Sequence, residues 1–247
     1  VFAGNLNSQE ALALAMATSP GDVQLIGHDG QIITIDELRA MSEAQLQAGP
    51  VASIRIKQTS PLYVAASGSL TAKAGDAAYL HSTGDLTVAA LDVGGSAQLG
   101  VEGNLAGVSA NTVLNVGGNL SLETKGDIGK NVATASPSLL NLKLGGTLSG
   151  NAGGAMGIRQ HGGNLVFDSL YSGDRMRIDV LDGSLLSASS SLVTLRSEKG
   201  GVELTARDHI RALDGGSLNL QLDSDKLDGV AGGEVRISSP RNALNIG

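Results

Sequence analysis

The stretch VLNVGGNLSLETKGDI, residues 113–128, contains the sequence unit that decides the fold. In this unit a glycine is followed by one small polar residue and then by an aliphatic residue, as at 118–120 (Gly-Asn-Leu) and at 126–128 (Gly-Asp-Ile). The glycine provides the backbone freedom that a corner requires, and the Asn or Asp side chain can cap the turn. Beyond the corner, Leu120 and Leu122 alternate with polar residues, which predicts a strand with one buried face.

The same unit recurs from about Val51 onward, which indicates a repeat architecture. Its copies begin at Gly68, Gly84, Gly103, Gly118, Gly126, Gly146, Gly163, Gly183 and Gly216, and looser copies begin at Gly201 and Gly233. Successive copies are mostly about 15 to 20 residues apart, which is the length of a coil with two or three short strands, and the step from Gly118 to Gly126 is the exception. One coil cannot bury its inner face, so we expect about ten coils to stack into a continuous aliphatic core.

The composition favours such a stack over a compact globule. The 247 residues include 35 Gly, no Trp, 2 Phe and 3 Tyr, so the core must be built from small and aliphatic side chains. Identical layers can be filled by Val, Leu, Ile and Ala in register, whereas a compact globule generally fills its irregular centre with aromatic rings. The alternative is a β-sandwich, in which strands recur roughly every 8 to 12 residues.

Residues 7–49 depart from the repeat and predict a small α/β excursion. Its expected parts are a helix that begins at Asn7, a hairpin with strands Val23–Ile26 and Gln31–Ile35 around Asp29-Gly30, and two capping boxes, Thr34 with Glu37 and Ser42 with Gln45. We therefore predict an all-β fold in which residues 1–247 form one right-handed parallel β-helix. Residues 51–247 form its regular rungs, and the excursion either contacts a partner or caps an exposed edge of the stack.

Charge and composition exclude several classes of function. The formal charge of -7 comes from 24 acidic and 17 basic residues, which are scattered along the sequence. Nucleic acid is not expected as a partner, because phosphate binding needs clustered Lys and Arg. No apolar run approaches the roughly 20 residues that span a bilayer. Since the sequence has no Cys, disulfides and thiolate zinc sites are excluded.

Candidates for metal chemistry are few. Four widely separated histidines lack zinc-binding spacing, and we interpret them as turn or surface residues: His28, His81, His161 and His209. Four aspartates lie among glycines near the end of the sequence: Asp214, Asp223, Asp225 and Asp228. They lack the spacing of a calcium loop, so solvated turn carboxylates are favoured over a structural calcium site. We predict no catalytic, cofactor-binding or metal-binding residues and no cofactor.

Enzymatic motifs are also weak. Some β-helices cleave acidic polysaccharides with charged groups along a groove, and a dense charged stretch contains Asp168, Asp174, Arg175, Arg177 and Asp179. Because Arg and Asp alternate there with apolar residues, we interpret the stretch as the outward face of a strand. Ser187–Ser191 has no Gly-x-Ser-x-Gly frame, and residues 150–155 lack the Lys-Ser of a phosphate loop. We predict that the chain is not an enzyme.

The turn residues resemble those of the filamentous haemagglutinin family. The resemblance covers roughly residues 51–247 and is carried by the repeated Gly-Asn-Leu, Gly-Asp-Leu and Gly-Ser-Leu units, by doubled glycines at 94–95, 117–118 and 145–146, and by residues 126–129 followed by Pro137 and Leu139–Leu142. Members of this family are large exoproteins exported by two-partner secretion. They include haemagglutinin-like adhesins and the stalks of contact-dependent inhibition toxins.

This resemblance implies a right-handed parallel β-helix that is secreted or exposed on the bacterial cell surface, as an internal part of a longer chain. It implies a structural rod that mediates adhesion or display, in proteins that also act in aggregation, haem-related uptake or toxin presentation. The implied partners are an outer-membrane transporter during export and a cell-surface receptor or glycan afterwards. Two alternatives are a specific ligand-binding module at residues 7–49 and a polysaccharide-active β-helix enzyme.

Overall fold

The computed structural model describes residues 23–27, 29, 31–33, 37, 40, 51–56, 62–64, 68–132, 134, 136–191, 193–222 and 226–239. Nearly all of this part is parallel β structure, wound into a stack of about 8 coils. The strands in chain order are β1 (Val23–Gly27), β2 (Ile32–Ile33), β3 (Val51–Ile56), β4 (Leu62–Val64), β5 (Ser69–Ala74), β6 (Ala78–Ser82), β7 (Leu86–Val93), β8 (Ala97–Val101), β9 (Leu105–Gly107), β10 (Val113–Val116), β11 (Leu120–Thr124), β12 (Leu140–Leu144), β13 (Thr147–Ala152), β14 (Met156–Gln160), β15 (Leu165–Ser172), β16 (Met176–Val180), β17 (Leu185–Ser187), β18 (Val193–Ser197), β19 (Val202–Ala206), β20 (Ile210–Ala212), β21 (Leu218–Leu222), β22 (Leu227–Ala231) and β23 (Ile237–Ser238).

The described strands form three sheets. Sheet 1 contains β1 to β3, and the two parallel sheets, sheets 2 and 3, form the walls of the stack. Sheet 2 runs in the order β5, β7, β10, β12, β14, β16, β19 and β22, with β9 paired to β7. Sheet 3 runs in the order β4, β6, β8, β11, β13, β15, β18, β21 and β23, with β17 and β20 attached to it through β15. The chain passes back and forth between these sheets, so strands within each sheet pair with strands one coil earlier and one coil later, and the end strands pair on one side only. This topology confirms the predicted parallel β-helix and excludes the sandwich. The right-handed sense stays a prediction, in line with the strong preference of parallel crossovers.

Aliphatic side chains stack in register inside the coils. In sheet 3, Leu80 pairs with Leu99, and Leu99 pairs with Leu122. Further along the same sheet, Leu170 pairs with Leu195. These side chains are at most 4% exposed, and burial of each one stabilises the fold by about 1.5 to 3 kcal/mol. The alternation predicted from the sequence therefore places the leucines in the core.

A coil generally contains more residues than the spacing of the sequence repeat suggests. Equivalent corner residues in successive coils are 19, 23 and 28 residues apart between Asp85, Asn104, Asp127 and Ala155. The repeat is shorter because one coil contains more than one glycine corner. The amide of Gly118 donates to the carbonyl of Gly95, whereas the amide of Gly126 donates to the carbonyl of Gly103. The short step from Gly118 to Gly126 thus joins two different corners of one coil.

Glycines occupy corners where the backbones of two coils lie close together. One column contains Gly75, Gly94, Gly117 and Gly145, and the amides of Gly94, Gly117 and Gly145 each donate to a carbonyl of the preceding coil. A Cβ atom at Gly117 would collide with the carbonyl oxygen of Gly94. At this position glycine is therefore required by contact between coils, in addition to any local turn preference.

Polar corner residues link each coil to the next. The amide of Asp127 donates to Oδ1 of Asn104 at 2.8 Å, and the amide of Ala155 donates to Oδ1 of Asp127 at 2.8 Å. A second corner has the same arrangement, because the amide of Ser184 donates to Oδ1 of Asn164 at 2.8 Å. The sequence predicts that such side chains cap a turn. In the structure they cap the equivalent turn of the following coil.

A separate antiparallel sheet, sheet 1, has the strand order β2, β1 and β3, and of these strands β1 and β2 lie in the excursion. The pairing of Leu25 with Ile33 and of Ile26 with Ile32 confirms the predicted hairpin. The prediction that the rungs begin at Val51 is wrong, because β3 pairs antiparallel with β1. Parallel stacking among the described residues begins with β4. Glu37 and Ala40 are helical, whereas the predicted helix at Asn7 and the capping box at Ser42 lie outside the described residues.

We predict that Gly117→Ala destabilises the stack by about 1 to 3 kcal/mol, because the methyl group must displace the backbone of the preceding coil. Gly84→Ala is the matched control, since a Cβ atom at this corner would have no neighbour within 4 Å. Urea unfolding followed by circular dichroism measures both effects. Equal midpoints for the two variants would contradict the proposed role of close contact between coils.

Candidate functional site

Three of the four histidines lie at corners or on the outer surface. The His209 side chain accepts a hydrogen bond at Nδ1 from the amide of Glu234 at 2.9 Å. It therefore caps the equivalent turn of the following coil, as Asn164 does. Nε2 of His161 lies 3.1 Å from Oδ1 of Asn141. His81 packs edge to face against Tyr63 and lies 3.7 Å from a carboxylate oxygen of Glu102. These positions agree with the interpretation as turn and surface residues, and His28 lies outside the described residues.

The charged stretch of the sequence does not converge on one groove. Asp168 is on β15 in sheet 3, whereas Arg177 and Asp179 are on β16 in sheet 2. Asp174 and Arg175 occupy the corner between these strands, where the amide of Arg175 donates to Oδ1 of Asp174. Residues that are close in sequence therefore lie on two different sheets and the corner between them.

Three arginines and two carboxylates form an ion-pair ladder on the outer face of sheet 2. Asp179 is buried, and Nη2 of Arg159 donates to its Oδ2 at 2.9 Å. Nε of Arg177 lies 3.6 Å from Oδ1 of the same carboxylate, and Nη1 of Arg177 lies 3.4 Å from Glu203. Glu203 also pairs with Arg175. The ladder crosses three coils, so it ties neighbouring strands together from outside.

The aspartates considered for calcium have structural partners where they are described. Oδ1 of Asp214 accepts from the amide of Gly216 at 2.9 Å, and Oδ2 accepts from the hydroxyl of Ser190 at 2.6 Å. The Ser190 hydrogen bond, together with the Gly216 amide, lowers the pKa of the Asp214 carboxyl. Asp228 pairs with Lys226 at 3.0 Å, while Asp223 and Asp225 lie outside the described residues. Across the described ranges, no three His, Cys, Asp or Glu side chains are grouped to hold a metal ion.

The two remaining motifs have structural positions. In the serine run, the hydroxyl of Ser187 is buried and donates to the carbonyl of Ser189. In the segment 150–155, Gly153 and Gly154 form a corner and donate to carbonyls of the preceding coil. The described part of the chain contains no helix long and apolar enough to cross a membrane.

A shallow groove of about 230 Å³ crosses the outer face of sheet 3. Its floor follows one column of outward side chains, in which Tyr79 pairs with Gln98, Gln98 with Ser121, and Ser121 with Ser149. The groove also has a wall of residues from the neighbouring corners and strands: Ser96, Asn119, Thr147 and Asp168. Small serine side chains in the middle of the column explain why the surface is concave there.

Asp168 reaches the groove because β15 contains a bulge. Leu148 pairs with Phe167, but the next residue, Ser149, pairs with Ser169, so Asp168 is the extra residue. A bulge redirects a side chain and interrupts the regular alternation of faces. Asp168 and Ser169 are consequently both exposed, and the carboxylate stands beside the serine floor.

Four polar side chains beside or on this floor are not used by the described part of the fold. Among the described residues, the side chains of Gln98, Ser121, Ser149 and Asp168 make no hydrogen bond or ion pair with one another or with neighbours. By contrast, outward Asn141 is buried under a loop, where its amide donates to the carbonyls of Ala110 at 2.7 Å and Thr112 at 3.2 Å. No local pattern in the sequence marks the groove, because its residues come from separate coils and only the register aligns them.

Comparison with known proteins identifies no relative: no family model, no curated protein and no solved structure matches the chain. The resemblance to filamentous haemagglutinins therefore rests on the turn residues alone.

We predict that Asp179→Asn lowers the free energy of unfolding by about 1 to 3 kcal/mol, because Arg159 and Arg177 then lack their shared anion. This range is below that of a fully buried pair, since both arginines are about a third exposed to solvent and partly screened. Asp182→Asn is the control, because Asp182 pairs with Arg207 where both side chains are mostly exposed to solvent. Urea midpoints measure both variants, and equal losses would show that burial of Asp179 does not matter.

Proposed function

We propose that this chain is a rod segment of a secreted or surface-exposed bacterial adhesin-type exoprotein, in which the stacked coils supply length and a surface for adhesion or display. The β-solenoid supports this role, and the resemblance of its turns to filamentous haemagglutinins suggests the class of protein. An outer-membrane transporter is the partner proposed for export.

The observation that carries the proposal is the local character of the contacts. The strands of sheets 2 and 3 pair with strands of adjacent coils, and corner side chains such as Asn104 and Asn164 cap adjacent coils. Because each coil needs only its neighbours, the fold can be lengthened by adding coils without redesign of a central core. A rod that holds a functional group away from a cell surface requires this property.

The outer surface is suited to display. Exposed ion pairs, such as Lys73 with Asp92 at 3.3 Å and Arg207 with Asp182 at 2.6 Å, lie on strands and corners of different coils. Such pairs contribute little to stability. Their replacement should therefore be tolerated by the fold, which leaves the surface free to vary in adhesion or display.

The location of the chain tests the proposal directly. We expect an antibody against the 247-residue chain to label intact cells, or to detect the chain in the medium, for the bacterium that encodes it. Protease added to intact cells should remove the cell-associated signal, and a cytosolic protein of the same cells should survive as the control. A signal that appears only after the cells are lysed would overturn the proposal.

A second experiment separates the rod from the excursion as the adhesive element. Because β3 pairs with β1, a deletion must remove residues 7–56 together to avoid leaving β3 without its sheet. If the rod itself carries adhesion, the deletion variant binds host and bacterial cells as the full chain does. The exposed substitutions Gln31→Lys and Ala40→Glu test the excursion without deletion. Loss of binding in the deletion and in these variants, with the β-rich circular dichroism spectrum retained, would transfer adhesion to the excursion.

A further inference from the structure

We infer that the groove on the outer face of sheet 3 binds a neutral, extended oligosaccharide, of the flat β-1,4-linked hexopyranose type. The ligand would lie along the column that runs from Tyr79 through Gln98 and Ser121 to Ser149, beside Asp168. This inference rests on the proposed role of the rod as a display surface and names the ligand of one part of that surface.

The direction of the groove excludes recognition by strand addition. The groove crosses successive strands, whose backbone groups are already paired in the parallel ladders from β6 to β8, β11 and β13. A peptide that adds to a sheet needs unpaired backbone groups at an edge strand. On this face only side chains are available for hydrogen bonds to a ligand. A ligand that lies along the groove must therefore carry hydrogen-bonding groups along its whole length.

The chemistry of the floor matches a polyol. The Gln98 amide can donate and accept, the hydroxyls of Ser121 and Ser149 can each do both, and the Asp168 carboxylate accepts. Sugar hydroxyls are likewise donors and acceptors, and four protein groups without partners among the described residues face the groove. The half-buried ring of Tyr79 offers an apolar surface at one end, where the face of a pyranose ring can pack.

The charge of the lining favours a neutral ligand. Among the described lining residues there is one carboxylate, that of Asp168, and no Lys or Arg. Binding of a sulfated or carboxylated chain requires cationic partners that these residues do not provide. An anionic glycan would instead be repelled by Asp168.

The spacing of the coils suits a linear chain of sugars. Neighbouring strands in a sheet are about 4.8 Å apart, which is close to the length of one pyranose unit in an extended β-1,4-linked chain. Gln98, Ser121 and Ser149 come from three successive coils, so each coil can present one polar side chain to one sugar. A bent or branched chain would not follow this straight column.

Titration of the full 247-residue chain with cellohexaose and chitohexaose, followed by calorimetry, tests the inference. We expect at least one of these neutral hexasaccharides to bind at millimolar concentration or below. Gln98→Ala should weaken binding about tenfold by removing hydrogen bonds from one sugar. Ser149→Leu should abolish binding, because the larger side chain fills the floor. A heparin hexasaccharide serves as the anionic comparison and should not bind at this groove.

Asn115→Ala and Asn115→Leu are the matched controls, because Asn115 is an exposed outward amide on β10 in the other sheet. Both should bind the hexasaccharide as the unaltered chain does, and thermal melts should show that all four variants are folded. The inference is overturned if neither neutral hexasaccharide binds, if only heparin binds, or if the Asn115 variants lose as much affinity as Gln98→Ala. Surface labelling of cells is unaffected by these outcomes, so failure of the groove is distinguishable from failure of the proposed rod.

Discussion

The parallel stacking of one coil on the next is the constraint from which the other features of this molecule follow. Parallel strands at a fixed separation bring equivalent residues of successive coils into direct contact. At the corners, the contact is between backbones, and Gly117 fits against Gly94 only because it has no side chain. Within the strands, the contact is between side chains, and Leu99 therefore packs directly over Leu80.

Stacking also determines how buried polar groups are satisfied. The hydroxyl of Ser172 is buried and donates to a corner carbonyl, with the carbonyls of Gly154 and Asp174 both at 2.9 Å. One coil later, Ser197 is buried in the same column, and its hydroxyl lies 2.8 Å from the carbonyl of Asp174. Gln160 is also buried. Its side-chain oxygen accepts from the backbone amide of Leu144, and its side-chain nitrogen donates to the carbonyl of Leu144. A buried polar group without a partner would be costly, so these side chains stabilise corners that leave carbonyls inside the stack.

Side chains on the outer face are aligned by the same register between coils, but they do not have to pack in the core. Where a loop covers the sheet, its side chains form a second layer, as Val132 and Leu139 do when they pack over Gly157 of β14. Where the face is open, aligned side chains create an extended surface whose chemistry changes from coil to coil. The groove along Gln98, Ser121 and Ser149 is such a surface, and the bulge at Asp168 adds a carboxylate to it. A site of this kind needs no loop insertion, because stacking itself brings the residues together.

The sequence by itself determined the class of fold, because Gly-polar-aliphatic units and period-two alternation are local signals that each coil repeats. It also determined the hairpin around Asp29, whose turn residues are adjacent in the chain. Only the tertiary structure decided the length of a coil, the assignment of Gly118 and Gly126 to different corners, and the pairing of Val51–Ile56 with β1. It also decided that Asp168 and Asp179 lie on different sheets and that Tyr79, Gln98, Ser121 and Ser149 line one groove. The physical reason is that register between coils depends on the lengths of the segments that join their strands, which vary along the chain, so residues that meet in space have no fixed separation in sequence.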